Sequence, residues 1–101
     1  MQFLVRMTNQ LPPDFPEECR KQLVAAEQKR SRELSEGGKL VAHWKVPLKH
    51  ETITLWEVSG QAELHELVMS LPAAAWASAS VTPLVPRNLH QHASNPPGKI
   101  A

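Results

Sequence analysis

Glu27 stands out among the acidic residues because it falls on the apolar side of a predicted helix. It follows Leu23 by four residues and precedes Leu34 by seven, so helical geometry puts the three side chains on or beside one stripe. A carboxylate in that position has two interpretations. It is a general base that removes a proton from an activated carbon, or it is an edge residue that pairs with Arg30 or a lysine. The spacing alone leaves both open.

Basic side chains that suit a substrate anion are concentrated in the middle of the chain. His43 and Lys45 fall on the same face of a predicted strand, and His50 follows shortly after it. Such a cluster is suited to a carboxylate, and its alternative is a solvated strand edge. His65 lies in a second predicted helix, where it could orient a substrate oxygen or serve as a structural histidine.

Other kinds of catalytic site find little support in the sequence. His90 and His92 have the spacing of a metal-binding pair, but no acidic or cysteine ligand stands where it would complete the site. Cys19 is the single cysteine, so it forms no internal disulfide, and no partner that would activate it as a nucleophile lies nearby. Phosphate-binding and dinucleotide-binding glycine motifs are also absent. The sequence therefore disfavours a metal site, covalent catalysis and nucleotide chemistry.

The composition predicts one small domain. The chain has 101 residues and a formal net charge of +1, without the block of like charge that marks a nucleic-acid or membrane-binding surface. The first apolar stretch is too short and too polar for a signal peptide or a membrane span, so we expect a cytoplasmic protein. Because a domain of this size builds a deep pocket only with difficulty, interfaces between subunits are plausible sites.

The elements that must position these residues alternate between strands and helices. Period-two patterns predict strands at 2–7, 39–46, 52–58 and 76–82. A first helix should begin with the capping-box pair Asp14 and Glu17 and end at Gly37-Gly38, and a second should run from Ser59 to Pro72. The order βαββαβ predicts an α+β ferredoxin-like domain, an antiparallel sheet with two helices on one face. We assign residues 1–85 to this domain and 86–101 to an extended tail.

The sheet face away from the helices needs another cover. A second subunit would supply it, and Trp44 and Trp56 provide apolar area for that contact. The alternative for each tryptophan is an ordinary core position under the helices. The sequence predicts a homo-oligomer on this ground.

Several segments together resemble one enzyme family. They are the start MQFLVRMTNQLP, the helix segment Leu23 to Glu27, Trp44, and Glu63-Leu64-His65-Glu66 followed by Ser70-Leu71-Pro72. The chain resembles the muconolactone isomerases from its start to about Leu84. The resemblance implies the ferredoxin-like fold, a homodecamer with active sites between subunits, and no metal or cofactor. It also implies a small lactone substrate, a butenolide of the 3-oxoadipate pathway.

The resemblance favours the base interpretation of Glu27. It implies that Glu27 removes the proton at C4 of a muconolactone, and that the resulting dienolate is protonated at C2 by the same group. A chlorine at C5 opens a second outcome, loss of chloride to give a dienelactone, as in the chloromuconolactone dehalogenase branch. The substrate-binding residues that we predict beside it are His65, His50, Thr52, Lys45, His43 and Ser70.

Departures from the isomerase pattern are grouped where the substrate should bind. The usual Gly-x-Tyr-x-Asn is replaced by Leu48-Lys49-His50-Glu51-Thr52, an aromatic run by Ala73-Ala74-Ala75-Trp76, and a histidine-proline pair by Arg87-Asn88. Smaller side chains leave room for a halogen, and altered donors weaken protonation at C2. We therefore predict dehydrohalogenation of 5-chloromuconolactone first and muconolactone delta-isomerisation second. A non-catalytic ferredoxin-like binding module is the alternative from another class.

Overall fold

The strands and helices follow one another in the predicted order in a computed structural model, which describes residues 1–87. The elements are β1 (Gln2–Asn9), α1 (Glu17–Glu36), β2 (Leu40–Lys45), β3 (Glu51–Glu57), α2 (Gln61–Met69), a 3₁₀ helix (Pro72–Trp76) and β4 (Ala77–Leu84). Most of the predicted tail, with His90 and His92, lies outside the described residues. The division into 1–85 and 86–101 therefore stays a prediction.

The four strands form one antiparallel sheet in the order β2-β3-β1-β4. Both central strands are neighbours in space although α1 and β2 separate them in the chain, which is the split arrangement of a ferredoxin-like domain. The predicted fold class is confirmed. None of the helices within residues 1–87 has both the length and the apolar character that crossing a membrane requires.

The core lies between the helices and the sheet face that β1 presents to them. Alternate residues of β1 are buried there, and the largest fully buried side chains are Trp56, Phe3 and Val5. The indole Nε1 of Trp56 donates to Thr54 Oγ1 at 2.7 Å, and that hydroxyl donates to the Val5 carbonyl at 3.3 Å. The polar atoms of this buried pair are thus satisfied, as a core requires.

Trp44 and Trp56 lie on opposite faces of the sheet. A β-bulge lies between Leu40 and Ala42, which pair with the adjacent residues Trp56 and Leu55. The extra residue shifts the alternation, so Leu40 and Trp44 lie on opposite faces although an even number of residues separates them. Leu40 is buried under the helices, whereas Trp44 pairs with Ile53 on the other face and is 51% exposed. The core alternative therefore applies to Trp56 and the open-face interpretation to Trp44.

Helix α1 begins and packs differently from the prediction. Its N-cap is Pro16 and has no side-chain cap, so the proposed capping box of Asp14 and Glu17 does not form. The helix ends as expected, where Gly38 has a φ of +78° and its N–H donates to the Ser35 carbonyl at 3.0 Å. Leu34 is its only buried residue among those described, so the rest of the predicted stripe is covered incompletely.

Helix α2 buries an apolar stripe, and its N-cap lies one residue later than expected. Leu64 and Val68 are buried against the sheet, and Leu67 is partly buried. The N-cap is Gly60 and not Ser59. The Glu63 carboxylate accepts a hydrogen bond from the Ser59 N–H at 2.8 Å and forms an ion pair with Lys39 at 3.3 Å. This carboxylate satisfies a backbone donor at the start of the helix and ties it to the loop before β2.

Candidate active site

A cavity of about 180 Å³ opens between α1, the 3₁₀ helix and the end of the sheet. Leu34, near the C-terminal end of α1, is the helix's only buried residue among those described, and Glu27 in the middle of the helix lines this cavity. The lining residues come from α1, from all four strands or the segments next to them, and from the 3₁₀ helix. They are Met7, Asn9, Glu27, His43, Lys45, His50, Thr52, Ala73 and Ala77.

Glu27 is the acidic residue of this cavity, and the main chain holds its carboxylate. The N–H of Ala73, in the first turn of the 3₁₀ helix, donates to Glu27 Oε2 at 2.8 Å. The first N–H groups of a helix have no partner within the helix, so they are available to a carboxylate. The bond fixes one oxygen of Glu27 and leaves the other without a hydrogen-bond partner among the described residues.

The ion-pair alternative for Glu27 finds no support in the described residues. Glu27 is absent from the ion pairs there, and Arg30 has another partner. The Arg30 Nε donates to Ser70 Oγ at 3.1 Å, and Ser70 Oγ donates to the Leu67 carbonyl at 2.6 Å. Glu27 and Arg30, one turn apart on α1, are therefore bonded to Ala73 and Ser70, which are also three residues apart. Two parallel contacts connect the helix to the segment after α2.

Strand pairing brings the basic side chains to the same cavity. Lys45 pairs with Thr52, and Thr52 pairs with Met7, so the three residues form one row across the sheet on the face toward α1. His43 lies two residues before Lys45 on that face, and His50 follows from the connecting turn. Glu27 thus shares a small cavity with a lysine and two histidines. A carboxyl group that can act as an acid or a base therefore lies near groups that can bind an anion.

Two of the predicted substrate-binding residues lie elsewhere. His65 is exposed and lines a groove between α2 and β4, together with Val68, Val81 and Pro83. Ser70 caps the C-terminal end of α2 and is bonded to Arg30. The structure brings together Glu27, His43, Lys45, His50 and Thr52, and it does not bring His65 or Ser70 to them. The roles predicted for those two residues stay predictions.

Asn9 lines the cavity and was not among the predicted site residues. The sequence did contain a signal for it, since Asn9 continues the alternation Phe3, Val5, Met7 and therefore falls on the helix-side face of β1. The three prolines that follow Asn9 are typical of a loop, and the strand predicted from the sequence therefore ends before Asn9.

The arrangement is suited to proton transfer at carbon in a small anionic molecule. A carboxylate with one oxygen held by a main-chain N–H keeps its position, which a general base needs. Basic side chains on the opposite wall can bind a substrate carboxylate. Within residues 1–87 no group of three or more histidine, cysteine, aspartate or glutamate side chains is arranged to hold a metal ion.

Comparison with known proteins identifies relatives of similar length. The sequence model of one family, described as muconolactone delta-isomerase, matches residues 1–93. Muconolactone Delta-isomerase 1 of Acinetobacter lwoffii is 32% identical over 84 residues, covering 83% of this chain and 88% of that protein. Muconolactone Delta-isomerase of Rhodococcus opacus is 30% identical over 82 residues, covering 81% and 88%.

Solved structures agree with the sequence comparison. A crystal structure of muconolactone isomerase superimposes with a TM-score of 0.81 at 26% identity, covering 86% of this chain and 91% of that one. A 5-chloro-2-hydroxyhydroquinone dehydrochlorinase from Burkholderia phenoliruptrix AC1100 has a TM-score of 0.62 at 16% identity, covering 84% and 94%, a likeness of fold alone. With the family model covering nearly the whole sequence, the chain belongs to the muconolactone delta-isomerase family.

Proposed function

We propose that Glu27 is the base that removes a proton from C4 of a muconolactone-type butenolide, and that the main product is the isomerised lactone. The observation that carries the proposal is the position of Glu27, held by the Ala73 N–H in a cavity with His43, Lys45 and His50. Relatives at 30% and 32% identity are named Muconolactone Delta-isomerase, which supports isomerisation as the first candidate.

The proposed reaction requires one carboxyl group and no cofactor. Glu27 takes the C4 proton, and the electron pair moves into a dienolate that extends to the lactone carbonyl oxygen. The protonated Glu27 then returns its proton to C2. Because a single group performs both transfers, the substrate must be held in one orientation and shielded from water. The basic side chains of the cavity would hold the substrate carboxylate away from Glu27.

Loss of chloride from 5-chloromuconolactone is the second candidate, although the sequence placed it first. Its first step is the same removal of the C4 proton, after which the electron pair forms a double bond to C5 and expels chloride. Ala73 and Ala77 give the wall beside Glu27 small side chains, which supports space for a halogen. His50 and Thr52 line the cavity at the positions that depart from the isomerase pattern.

The assembly and the compartment belong to the same proposal. The half-exposed Trp44 beside Ile53 supports a contact between copies of the chain on the open sheet face. A decamer with active sites between subunits is the form that the family resemblance implies. A cytoplasmic location remains our expectation from the composition.

The direct test is turnover of muconolactone and of 5-chloromuconolactone by the purified chain and by Glu27→Gln. Removing a general base typically lowers the rate by about 10²-fold to 10⁴-fold, so we expect a loss in that range for both substrates. Glu33→Gln is the matched control, since Glu33 is an exposed glutamate of the same helix outside the cavity. Isomerised lactone from the unchlorinated substrate supports the first candidate, and faster chloride release from the chlorinated one supports the second.

Absence of turnover by the unchanged chain on either lactone would reject the proposed activity. Lactone binding that survives in Glu27→Gln would then support the non-catalytic binding module.

A further inference from the structure

Asn9 is the last residue of β1 and brings an uncharged amide to the cavity that contains Glu27. It pairs with Ala77, the first residue of β4, and both residues line the cavity. The other polar side chains of the lining are the carboxylate of Glu27, the hydroxyl of Thr52 and the three basic groups. Asn9 is therefore the one amide group in the described wall of this site.

The hydrogen bonds of Asn9 determine which end of its amide is available. The Leu11 N–H donates to Asn9 Oδ1 at 2.9 Å, which assigns the oxygen to the side of the following turn. The Nδ2 group has no acceptor among the described residues. An asparagine whose oxygen is occupied offers two N–H donors and little remaining acceptor capacity.

The main chain around Asn9 is fixed on both sides. The Asn9 N–H donates to the His50 carbonyl at 2.7 Å, which connects the end of β1 to the turn before β3. The next N–H, that of Gln10, donates to the Trp76 carbonyl at 2.7 Å. The ring of Trp76 also packs edge-on against Phe15, with ring centroids 5.1 Å apart. Because these hydrogen bonds fix the main chain at Asn9, its side-chain donor needs little reorganisation when it binds a ligand.

We propose that Asn9 Nδ2 is the substrate-binding donor that hydrogen-bonds to the lactone carbonyl oxygen. The inference rests on the proposed function of this cavity. The substrate carboxylate is best bound by the basic groups of His43, Lys45 and His50. The lactone carbonyl oxygen, which carries no charge, is then left for an uncharged donor. That carbonyl oxygen gains negative charge when Glu27 removes the C4 proton. A fixed N–H donor therefore binds the transition state more strongly than the ground state and raises kcat.

Two substitutions of Asn9 separate this role from a purely structural one. Asn9→Asp keeps an oxygen for the Leu11 N–H and removes both donors, whereas Asn9→Ala removes the donors and the turn acceptor together. Gln10→Glu is the matched control, because it makes the same exchange of amide for carboxylate one residue away, on an exposed side chain outside the cavity. The measurements are kcat and KM for muconolactone, the melting temperature, and the Kd for muconolactone in the Glu27→Gln background.

We expect both Asn9 variants to lower kcat/KM by at least tenfold, mainly through kcat, as loss of a donor to a developing oxyanion costs on the order of 10²-fold to 10³-fold. Asn9→Asp should keep its melting temperature, and Gln10→Glu should stay within about twofold of the unchanged chain. Three results would overturn the inference: an Asn9→Asp variant as active as the unchanged chain, an equal loss in Gln10→Glu, or a change in KM alone.

The inference and the proposed function fail in different ways. If the chain converts muconolactone and Asn9→Asp does so equally well, only the role of Asn9 is rejected. If the chain binds muconolactone without converting it, the proposed reaction is rejected. Weaker binding by Asn9→Asp would then support the hydrogen bond to the lactone and reject its role in the transition state. A chain that neither binds nor converts the lactone rejects both.

Discussion

At the scale of single residues, the cavity is explained by strand register and by one main-chain hydrogen bond. The sequence predicts correctly that His43 and Lys45 share a strand face, because the alternation of side chains is a local property. The sequence does not indicate that the Ala73 N–H binds Glu27, since the two residues are distant in the chain. The same limit applies to Ser70, whose partner is Arg30 on the other helix.

Lys45→Met tests the assignment of the basic wall to the substrate carboxylate. A hydrogen bond to a charged group contributes about 1.5 to 3 kcal/mol, so we expect KM for muconolactone to rise tenfold or more. The carboxylate has the same charge before and during proton transfer, so kcat should change little. Lys49→Met serves as control, because Lys49 is exposed in the neighbouring turn and does not line the cavity. Equal KM values for the two variants would reject the assignment.

At the scale of elements, the ends of the helices are where local sequence and structure agree or differ. The glycine pair after α1 predicts the end of that helix correctly, because a left-handed residue is required there. The starts are predicted less well. Asp14 and Ser59 are good capping residues by type, but the chain enters α1 from Pro16 and α2 from Gly60. The residue at which the preceding loop enters a helix depends on tertiary packing. The spacing of neighbouring residues in the sequence carries no information about that packing.

The two adjacent glycines offer a matched pair for the helix end. Gly38 has a φ of +78°, and an alanine in that region costs about 1 to 2 kcal/mol. Gly37 has a φ of −77°, and an added Cβ would stand 3.4 Å from the nearest atom, the Glu33 carbonyl oxygen. We expect Gly38→Ala to lower the free energy of unfolding in urea by about that amount. Gly37→Ala should leave it unchanged or raise it by up to about 1 kcal/mol. Equal losses would contradict the assigned conformations.

Glu63 should make the stability of the chain depend on pH in the acid range. The Ser59 N–H, followed by the Lys39 ammonium group, holds the pKa of Glu63 below its ordinary value. A carboxyl with a lowered pKa stabilises the fold above its unfolded pKa, and this contribution is lost as the pH falls through the folded pKa. In Glu63→Gln, the decrease in melting temperature below about pH 4.3 should therefore be shallower.

Glu66→Gln provides the comparison for Glu63, since Glu66 is an exposed glutamate of the same helix without an ion pair in the described residues. This variant should keep the steeper decrease of the unchanged chain. Identical curves for the two variants would mean that the contacts of Glu63 do not stabilise the fold.

At the scale of the whole molecule, the two sheet faces differ because α1 and α2 pack on only one of them. Periodicity was sufficient to predict the order βαββαβ and the helix-covered face, because burial repeats every second residue along each strand. The sequence did not show on which sheet face Trp44 and Trp56 each lie. The β-bulge in β2 adds one residue, and the apolar pattern of the sequence does not reveal that residue. As a result, Trp56 lies in the core and Trp44 is half exposed on the face that α1 and α2 do not cover.

Trp44→Ser tests whether the open face is a contact between copies of the chain. If it is, loss of the indole area should shift sedimentation velocity toward smaller species at the same protein concentration. Leu48→Ser is the control, because Leu48 is fully exposed in the turn between β2 and β3 and belongs to neither strand. A Trp44→Ser protein with the sedimentation profile of the unchanged chain would exclude this face as the main interface.

Removal of a proton from a lactone carbon by Glu27 is measured most directly by hydrogen exchange. Muconolactone in D₂O would be followed by proton NMR with the unchanged chain, Glu27→Gln and Glu33→Gln. We expect the C4 proton signal to disappear at a rate proportional to enzyme concentration with the unchanged chain and Glu33→Gln, and at the uncatalysed rate with Glu27→Gln. Loss of that signal at the same rate with Glu27→Gln would show that Glu27 is not the base.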